Sequence, residues 1–339
     1  MIDLADLALA YRLRWKRRRL RARSARKSFD LKSAVDRSKG VAIGDVLCFT
    51  VLRNEIDRLP HFLAHYRALG VNHFFVVDNL SDDGSFEYLL DQDDVSIWRT
   101  NKSYKKSRFG MDWLNFLLGK FGHDHWCLTV DLDEILVYPN WETRDLKSLA
   151  EWLERCEIEQ LGSMMLDMYP QTSLMDNSHD GNEPFKTLCW FDAGNYQIQR
   201  QAKLGNLWIQ GGPRARSFFA KDPQKAPTLN KIPFVKWHRA YVYNSSTHNM
   251  LPRRLNKIYE ESGGERTSGV LLHTKFLPTI GAKSAEEKKR GEHFANSALY
   301  QNYYDDLVAN PLIWNEMSTK LRGWRQLEAL GLMSRGGWV

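Results

Sequence analysis

The 339 residues contain no apolar run approaching the roughly 18 residues that cross a bilayer, so no transmembrane helix is expected. Only four cysteines occur, none in a C-x-x-C pair or at zinc spacing. Cys48, Cys127 and Cys189 lie in apolar stretches and Cys156 near a helix end. This excludes a disulfide framework and a zinc ribbon, and reduced thiols are expected. Neither a G-x-G-x-x-G dinucleotide loop nor a G-x-x-x-x-G-K-[ST] P-loop is present, so glycine-loop cradling of phosphate is not the strategy. The Met1-Ile2-Asp3-Leu4 start does not read as a signal peptide, and a cytosolic, cytoplasmic-face protein is expected. No internal repeat is visible.

What is present is a core of ordinary size, 43% hydrophobic and 26% charged, rich in aromatics with 12 Trp, 13 Tyr and 16 Phe. Such a chain suits one large α/β unit or two smaller domains. The net charge of +7 is unevenly distributed. Residues 1–39 hold 13 Lys/Arg and 4 Asp, a net of +9, leaving 35 bases against 37 acids beyond them, a net of −2. The ten bases from Arg12 to Lys27 follow Leu4, Leu7, Ala8, Tyr11 and Trp15 at spacings of three and four, which predicts a basic amphipathic helix. An anionic membrane surface is its expected partner, with peripheral attachment through residues 1–27. Nucleic acid is the rival partner, and a solvated arm with no partner is the plain alternative.

From Val41 onward the pattern alternates. Val46 to Leu52 is a continuous apolar run of strand length. Leu59, Phe62, Leu63, Tyr66 and Leu69 then fall at helical spacing, with Pro60 in the first turn and Gly70 as the stop. His73 to Val77 reads as a second buried strand, which completes a βαβ unit with a parallel pair. Val95 to Trp98 predicts a strand, Gly110 to Phe121 a helix, Trp126 to Val130 a strand, and Asp145 the start of a further helix. Short strands and loops follow from Gly162 to about Gly281. Ser284-Ala285-Glu286-Glu287 reads as a capping box opening a helical C-terminal segment. The expected divisions are a tail at 1–39, an α/β half at 40–140, a second half of short strands and loops at 141–281 and a helical segment at 282–339.

The most informative stretch is Asp131-Leu132-Asp133-Glu134, directly after the apolar run Trp126-Cys127-Leu128-Thr129-Val130. If the strand continues, Asp131 and Asp133 share one face at its carboxyl end, where open α/β sheets collect ligands. Two carboxylates with open positions suit Mg²⁺ or Mn²⁺ held jointly with substrate phosphates. A chance Asp-x-Asp among 41 acids is the competing explanation. Thr50 to Glu55 and Asp78 to Gly84 also sit at predicted strand ends, so three polar clusters are expected along one sheet edge, around a nucleotide.

These pieces together resemble the family-2-like glycosyltransferases with the GT-A fold, in their bacterial branch with an Asp-x-Asp-Glu segment. The matching residues are Leu52-Arg53-Asn54-Glu55, Val76-Val77-Asp78-Asn79 with Ser81, Asp83 and Gly84, and Val130 to Glu134. Further along are Gly211-Gly212 with Arg214 and Arg216, Lys231-Ile232-Pro233, Ser246-Thr247-His248, and Leu271 to Phe276. Asn79 departs from the pattern, where many relatives carry a second Asp. The resemblance implies a hexosyltransferase-like enzyme for surface polysaccharide synthesis. Its donor would be a nucleotide-sugar, usually a UDP-sugar, and its acceptor a glycan or a lipid-linked sugar. It implies inversion, Asp78 near the base or ribose, Asp131 and Asp133 on a Mn²⁺ or Mg²⁺ ion, and His248 as a third metal ligand, with His273 the competitor.

Donor contacts are expected from Thr50, Arg53, Asn54, Glu55, Asp78, Asn79, Arg108, Asp131 and Arg214, with Asn54 also a candidate helix cap. A single displacement needs a base for the acceptor hydroxyl. Asp167, interrupting the apolar Met164-Met165-Leu166, is the candidate, with Asp180 or Glu183 as substitutes and a salt-bridged strand-end Asp as the plain alternative. A non-catalytic nucleotide- or glycan-binding protein on the same fold is the alternative function; nucleic-acid binding through the tail is another.

Overall fold

The computed structural model describes residues 4–176, 183–259, 265–290 and 301–338. Its centre is a nine-stranded mixed sheet. The strand order is Lys32–Val35, Val95–Arg99, Val71–Asp78, Val46–Leu52, Trp126–Thr129, Asn230–Lys236, Gln160–Asp167, Ser268–His273 and Glu134–Val137. Val46–Leu52 runs parallel to both of its neighbours, and Val71–Asp78 is parallel to Val95–Arg99. Asn230–Lys236 is antiparallel to the strands on either side of it, so Gln160–Asp167 and its parallel neighbour Ser268–His273 point the same way as the first four. Six strands therefore end on one edge. The outermost strands, Lys32–Val35 and Glu134–Val137, are antiparallel.

Continuous apolar runs make these strands because both sheet faces are covered. Alternate side chains feed two cores. Cys48, Phe74 and Val76 pack with Phe62, Leu63 and Tyr66 of helix Leu59–Ala68. Leu47, Phe49, Phe75 and Val77 pack with Trp113, Leu114 and Leu117 of helix Met111–Phe121. Stacking of Phe49 on Phe75 and of Phe75 on Phe121, each at 4.8 Å between ring centres, fixes the second core.

The strand–helix alternation up to residue 155 follows the sequence expectation. Pro60 lies in the first turn of its helix, and Gly70, at φ 87°, turns the chain back after the helix ends. Asp145 caps helix Leu146–Arg155 by accepting from Ser148 N at 2.8 Å. Asp145→Ala should cost about 1 kcal/mol in chemical denaturation, and an unchanged midpoint would remove that role.

Two expectations are corrected. Ser284 does not open a helix; it is buried inside Ile280–Arg290, which starts one turn earlier. The strand before the acidic stretch stops at Thr129, and Asp131-Leu132-Asp133 form a turn before the chain restarts as Glu134–Val137. All four cysteines are free; Cys48 and Cys127 are buried, Cys189 half-buried and Cys156 exposed. Among the described residues no helix is long and apolar enough to cross a membrane.

Candidate functional site

The edge where the six strands end opens into a cleft of about 550 Å³, and Arg53, Glu55, Asn79, Asp131, Asp133, Glu134, Arg214, Lys231, His248, His273 and Lys275 line it. Trp208, Met165, Tyr104 and Phe109 supply apolar wall. The three polar clusters read from the sequence do meet on one edge, and further strands contribute Met165, Trp208, Lys231, Ser245 and His273.

Asp131 and Asp133 reach the cleft from a turn, not from one face of a strand. The turn is closed by Glu134 N donating to Asp131 O at 3.1 Å. Asp131 N donates to Glu134 Oε2 at 3.2 Å, and Lys231 Nζ lies 2.7 Å from Glu134 Oε1 and 3.3 Å from Asp131 Oδ2. Lys231 is buried in strand Asn230–Lys236, where an ammonium requires a carboxylate partner. Burial alone would depress the Lys231 ammonium; Glu134 and Asp131 outweigh it and raise it. Burial of Glu134 beside Asp131 and Asp133 raises its carboxyl, with Lys231 opposing.

Asp133 begins a buried relay. His273 donates from Nε2 to Asp133 Oδ2 at 3.0 Å and from Nδ1 to Asp167 Oδ1 at 2.5 Å. Arg214 Nε donates to Asp167 Oδ2 at 2.7 Å. Burial would favour neutral imidazole, but Asp133 and Asp167 together raise His273 and hold it as imidazolium. Burial likewise works to raise both carboxyls. Arg214 and His273 nevertheless bring Asp167 to about 2, and His273 with Arg58 and Lys275 holds Asp133 well below the usual range.

Asp167 is 1% exposed and both its oxygens are occupied. With so low a pKa it suits orientation of His273 and Arg214 rather than removal of an acceptor proton, so the expected base role is not supported by its surroundings. Of its substitutes, Asp180 lies outside the described residues, and Glu183 pairs with Lys186 and does not line the cleft.

Other expected contacts divide. Arg53 lines the cleft and donates from Nη1 to Asn79 O at 3.0 Å. Asn79 lines it too, with its amide donating to Thr100 O and Lys102 O. Asn54 borders an adjoining pocket of about 130 Å³ that also holds Arg58, Asp133, Lys275 and Lys283. Its side chain accepts from Asp82 N, and it caps no helix. Glu55 bridges Arg58 and Lys283, each at 2.6 Å.

Besides Asn54, three donor-contact expectations do not reach the cleft. Thr50 is buried within its strand. Asp78 is fully buried, accepting from Arg99 Nε at 2.9 Å and from Ser81 N at 3.0 Å, so it organises its loop. Arg108 pairs with Asp112 and donates to Asn244 O at 3.0 Å, while its neighbours Tyr104 and Phe109 line the cleft. Asn115 is similarly structural, bonding both backbone groups of Tyr243. Arg216 pairs with Asp192.

The two carboxylates Asp131 and Asp133 offer oxygen donors of the kind a hard divalent cation takes, with room left for phosphate oxygens. His248 lines the same cleft, with Asn230 O 2.6 Å from its Nδ1, and burial beside Lys231 lowers it to about 3, so it is neutral. Even so, the expected trio of Asp131, Asp133 and His248 is not assembled: among the described residues no three His, Cys, Asp or Glu converge as a metal-holding group. His273 is engaged at both nitrogens.

Of the cleft's two basic side chains nearest Asp133 and Asp167, the sequence reading named Arg214 as a donor contact and gave Lys275 no role. Lys275 makes no hydrogen bond or ion pair to any described residue, and Arg214 Nη2 is buried without a partner. A lysine two residues beyond a buried strand end was the available signal. Arg214 is positioned by Gly211 at φ 149°, where a Cβ would come within 2.3 Å of Asn195 O.

No family model matches the chain. A glycosyltransferase family 92 protein of Oryza sativa subsp. japonica is 28% identical over 102 residues, a stretch equal to 28% of this chain and 16% of that protein. The chain thus matches well under a fifth of that relative's length. The similarity supports a relationship to glycosyltransferases and carries the name of family 92, not the family-2 branch expected from the motifs.

Proposed function

We propose that this chain is a nucleotide-sugar-dependent glycosyltransferase that moves a sugar from a nucleoside diphosphate donor, a UDP-sugar by preference, to a glycan or lipid-linked acceptor. The observation that carries the reading is the meeting, in one cleft at the carboxyl edge of the sheet, of Asp131 and Asp133 with the Lys275 side chain and the unsatisfied Nη2 of Arg214. A leaving diphosphate needs its charge balanced, and both kinds of group serve that need. The glycosyltransferase relative and the α/β sheet edge support the same class; the GT-A assignment and an inverting displacement belong to this proposal.

In this reading Asp131 and Asp133 hold Mn²⁺ or Mg²⁺, which when bound supplies Lewis-acid neutralisation of the diphosphate. Lys275 and Arg214 bind phosphate oxygens, and Arg53 and Asn79 border the nucleoside. His273 fixes the Asp133 carboxylate, while Asp167 and Arg214 fix His273. Trp208 and Met165 exclude water from the sugar side. The donor half is assigned to residues 40–140 and the acceptor half to 141–281.

UDP should raise the melting temperature by several degrees with Mn²⁺ present and by little without it, as ligand linkage requires. No shift in either condition would sink the donor-site assignment, and an equal shift in both would remove the metal while leaving the Lys275 and Arg214 contribution.

A further inference from the structure

The long basic helix Leu4–Lys27 is not a free arm. It packs on the body through Leu9, Leu13 and Leu20, which meet Val242, Leu251 and Leu204. Arg23 pins it further, at 2.6 Å from the fully buried Asp112 and by donating to Lys106 O at 2.7 Å. The apolar residues that mark the helix as amphipathic in sequence are a different set. Leu4, Leu7, Tyr11 and Trp15 all face away from the body, with exposures of 81, 51, 62 and 43%.

At 100° per residue these four share an arc about opposite the packed one. Arg14 and Arg21 border the arc on one side, Arg12, Arg19 and Arg26 on the other, and all five are exposed. Tyr11 and Trp15 meet edge to face at 6.2 Å, and the Arg18 guanidinium lies 5.1 Å from the Trp15 ring centre. The helix therefore carries two apolar stripes: one satisfied by the protein, one flanked by arginine and left uncovered.

We infer that this outward face is a docking surface for an anionic lipid bilayer, with Leu7, Tyr11 and Trp15 entering the headgroup layer and the flanking arginines meeting phosphate. Charge complementarity selects the occupant. A protein partner is poorly matched to a narrow apolar line edged on both sides by one sign of charge, whereas an anionic interface takes this pattern. Nucleic acid would use the arginines and leave Leu4, Leu7 and Tyr11 in water. The inward stripe gives the attachment a consequence that a free arm lacks. The helix leans on the 104–112 segment and the Val242–Leu251 hairpin, both of which border the cleft, so the cleft is held in fixed relation to the bilayer. The inference does not depend on the glycosyl-transfer reading.

The test is flotation of the full chain with vesicles of phosphatidylcholine, with and without phosphatidylglycerol, for the wild type, a Tyr11→Ser/Trp15→Ser variant and an Arg14→Gln/Arg18→Gln/Arg19→Gln/Arg21→Gln variant. All these side chains are exposed, so melting temperatures should match and serve as the folding control. The wild type should bind only the anionic vesicles. The arginine variant should lose roughly 10²–10³-fold in partition and the aromatic variant about tenfold or more. Three outcomes overturn the inference: equal binding to both vesicle types, an aromatic variant that partitions like the wild type, or no vesicle binding alongside salt-sensitive RNA binding that only the arginine changes abolish.

Discussion

Asp133→Asn should lower metal-dependent release of UDP from a panel of UDP-sugars by about 10³-fold, while the melting temperature falls by only a few degrees. The large kinetic effect follows from where the carboxylate stands. Asp133 borders both the main cleft and the adjoining pocket, and His273 takes only one of its oxygens. His273, Arg58 and Lys275 hold its carboxyl well below the usual range, so it presents negative charge to a cation. The amide keeps the shape and the hydrogen bond from His273 and removes the charge. The small stability effect follows because one charge-assisted hydrogen bond becomes a neutral one, a change on the order of 1 kcal/mol. Wild-type hydrolysis with an unaltered variant would place the leaving-group chemistry elsewhere in the cleft. A variant that failed to melt cooperatively would instead make Asp133 a structural group.

The parts of this site that were legible in the sequence were those set by local pattern. Apolar runs gave the parallel strands, and polar residues at their carboxyl ends gave the edge on which ligands gather. Asp145, Pro60 and Gly70 marked helix ends because capping and φ preferences act within a turn of chain. What failed had long-range causes. Asp131 and Asp133 were placed on one strand face, yet the strand stops at Thr129 and the acidic stretch turns, with Glu134 paired to Lys231 of a strand distant in sequence. Asp78 and Thr50 sit at predicted strand ends and still miss the cleft, since Arg99 claims the first and the strand interior the second. The stripe of Leu4, Leu7, Tyr11 and Trp15 was visible in sequence. Which of two apolar faces the body would cover was not, because both satisfy helical spacing.

Asp167→Asn should lower the melting temperature by roughly 10 °C, corresponding to about 3–5 kcal/mol for an uncompensated buried partner. The reason is that Arg214 and His273 both keep their charge in the interior while losing the carboxylate that neutralises them. Adding Arg214→Met to Asp167→Leu should recover most of that loss, since a buried ion pair and a well-packed apolar pair are close in free energy. The acid dependence has a defined sign. The Asp167 carboxyl falls to about 2 in the folded chain, against about 3.9 unfolded. The stability it contributes is complete above the unfolded value and is lost as pH falls through the folded one. Wild type should therefore lose more stability than Asp167→Asn on going from about pH 5 to about pH 2. A general base would behave otherwise: Asp167→Asn would leave the melting temperature in place and remove turnover. A positioning group instead couples the two losses, and the Arg214→Met/Asp167→Leu pair then recovers stability without recovering turnover, because His273 has lost the carboxylate that aims it at Asp133 and the phosphate has lost Arg214.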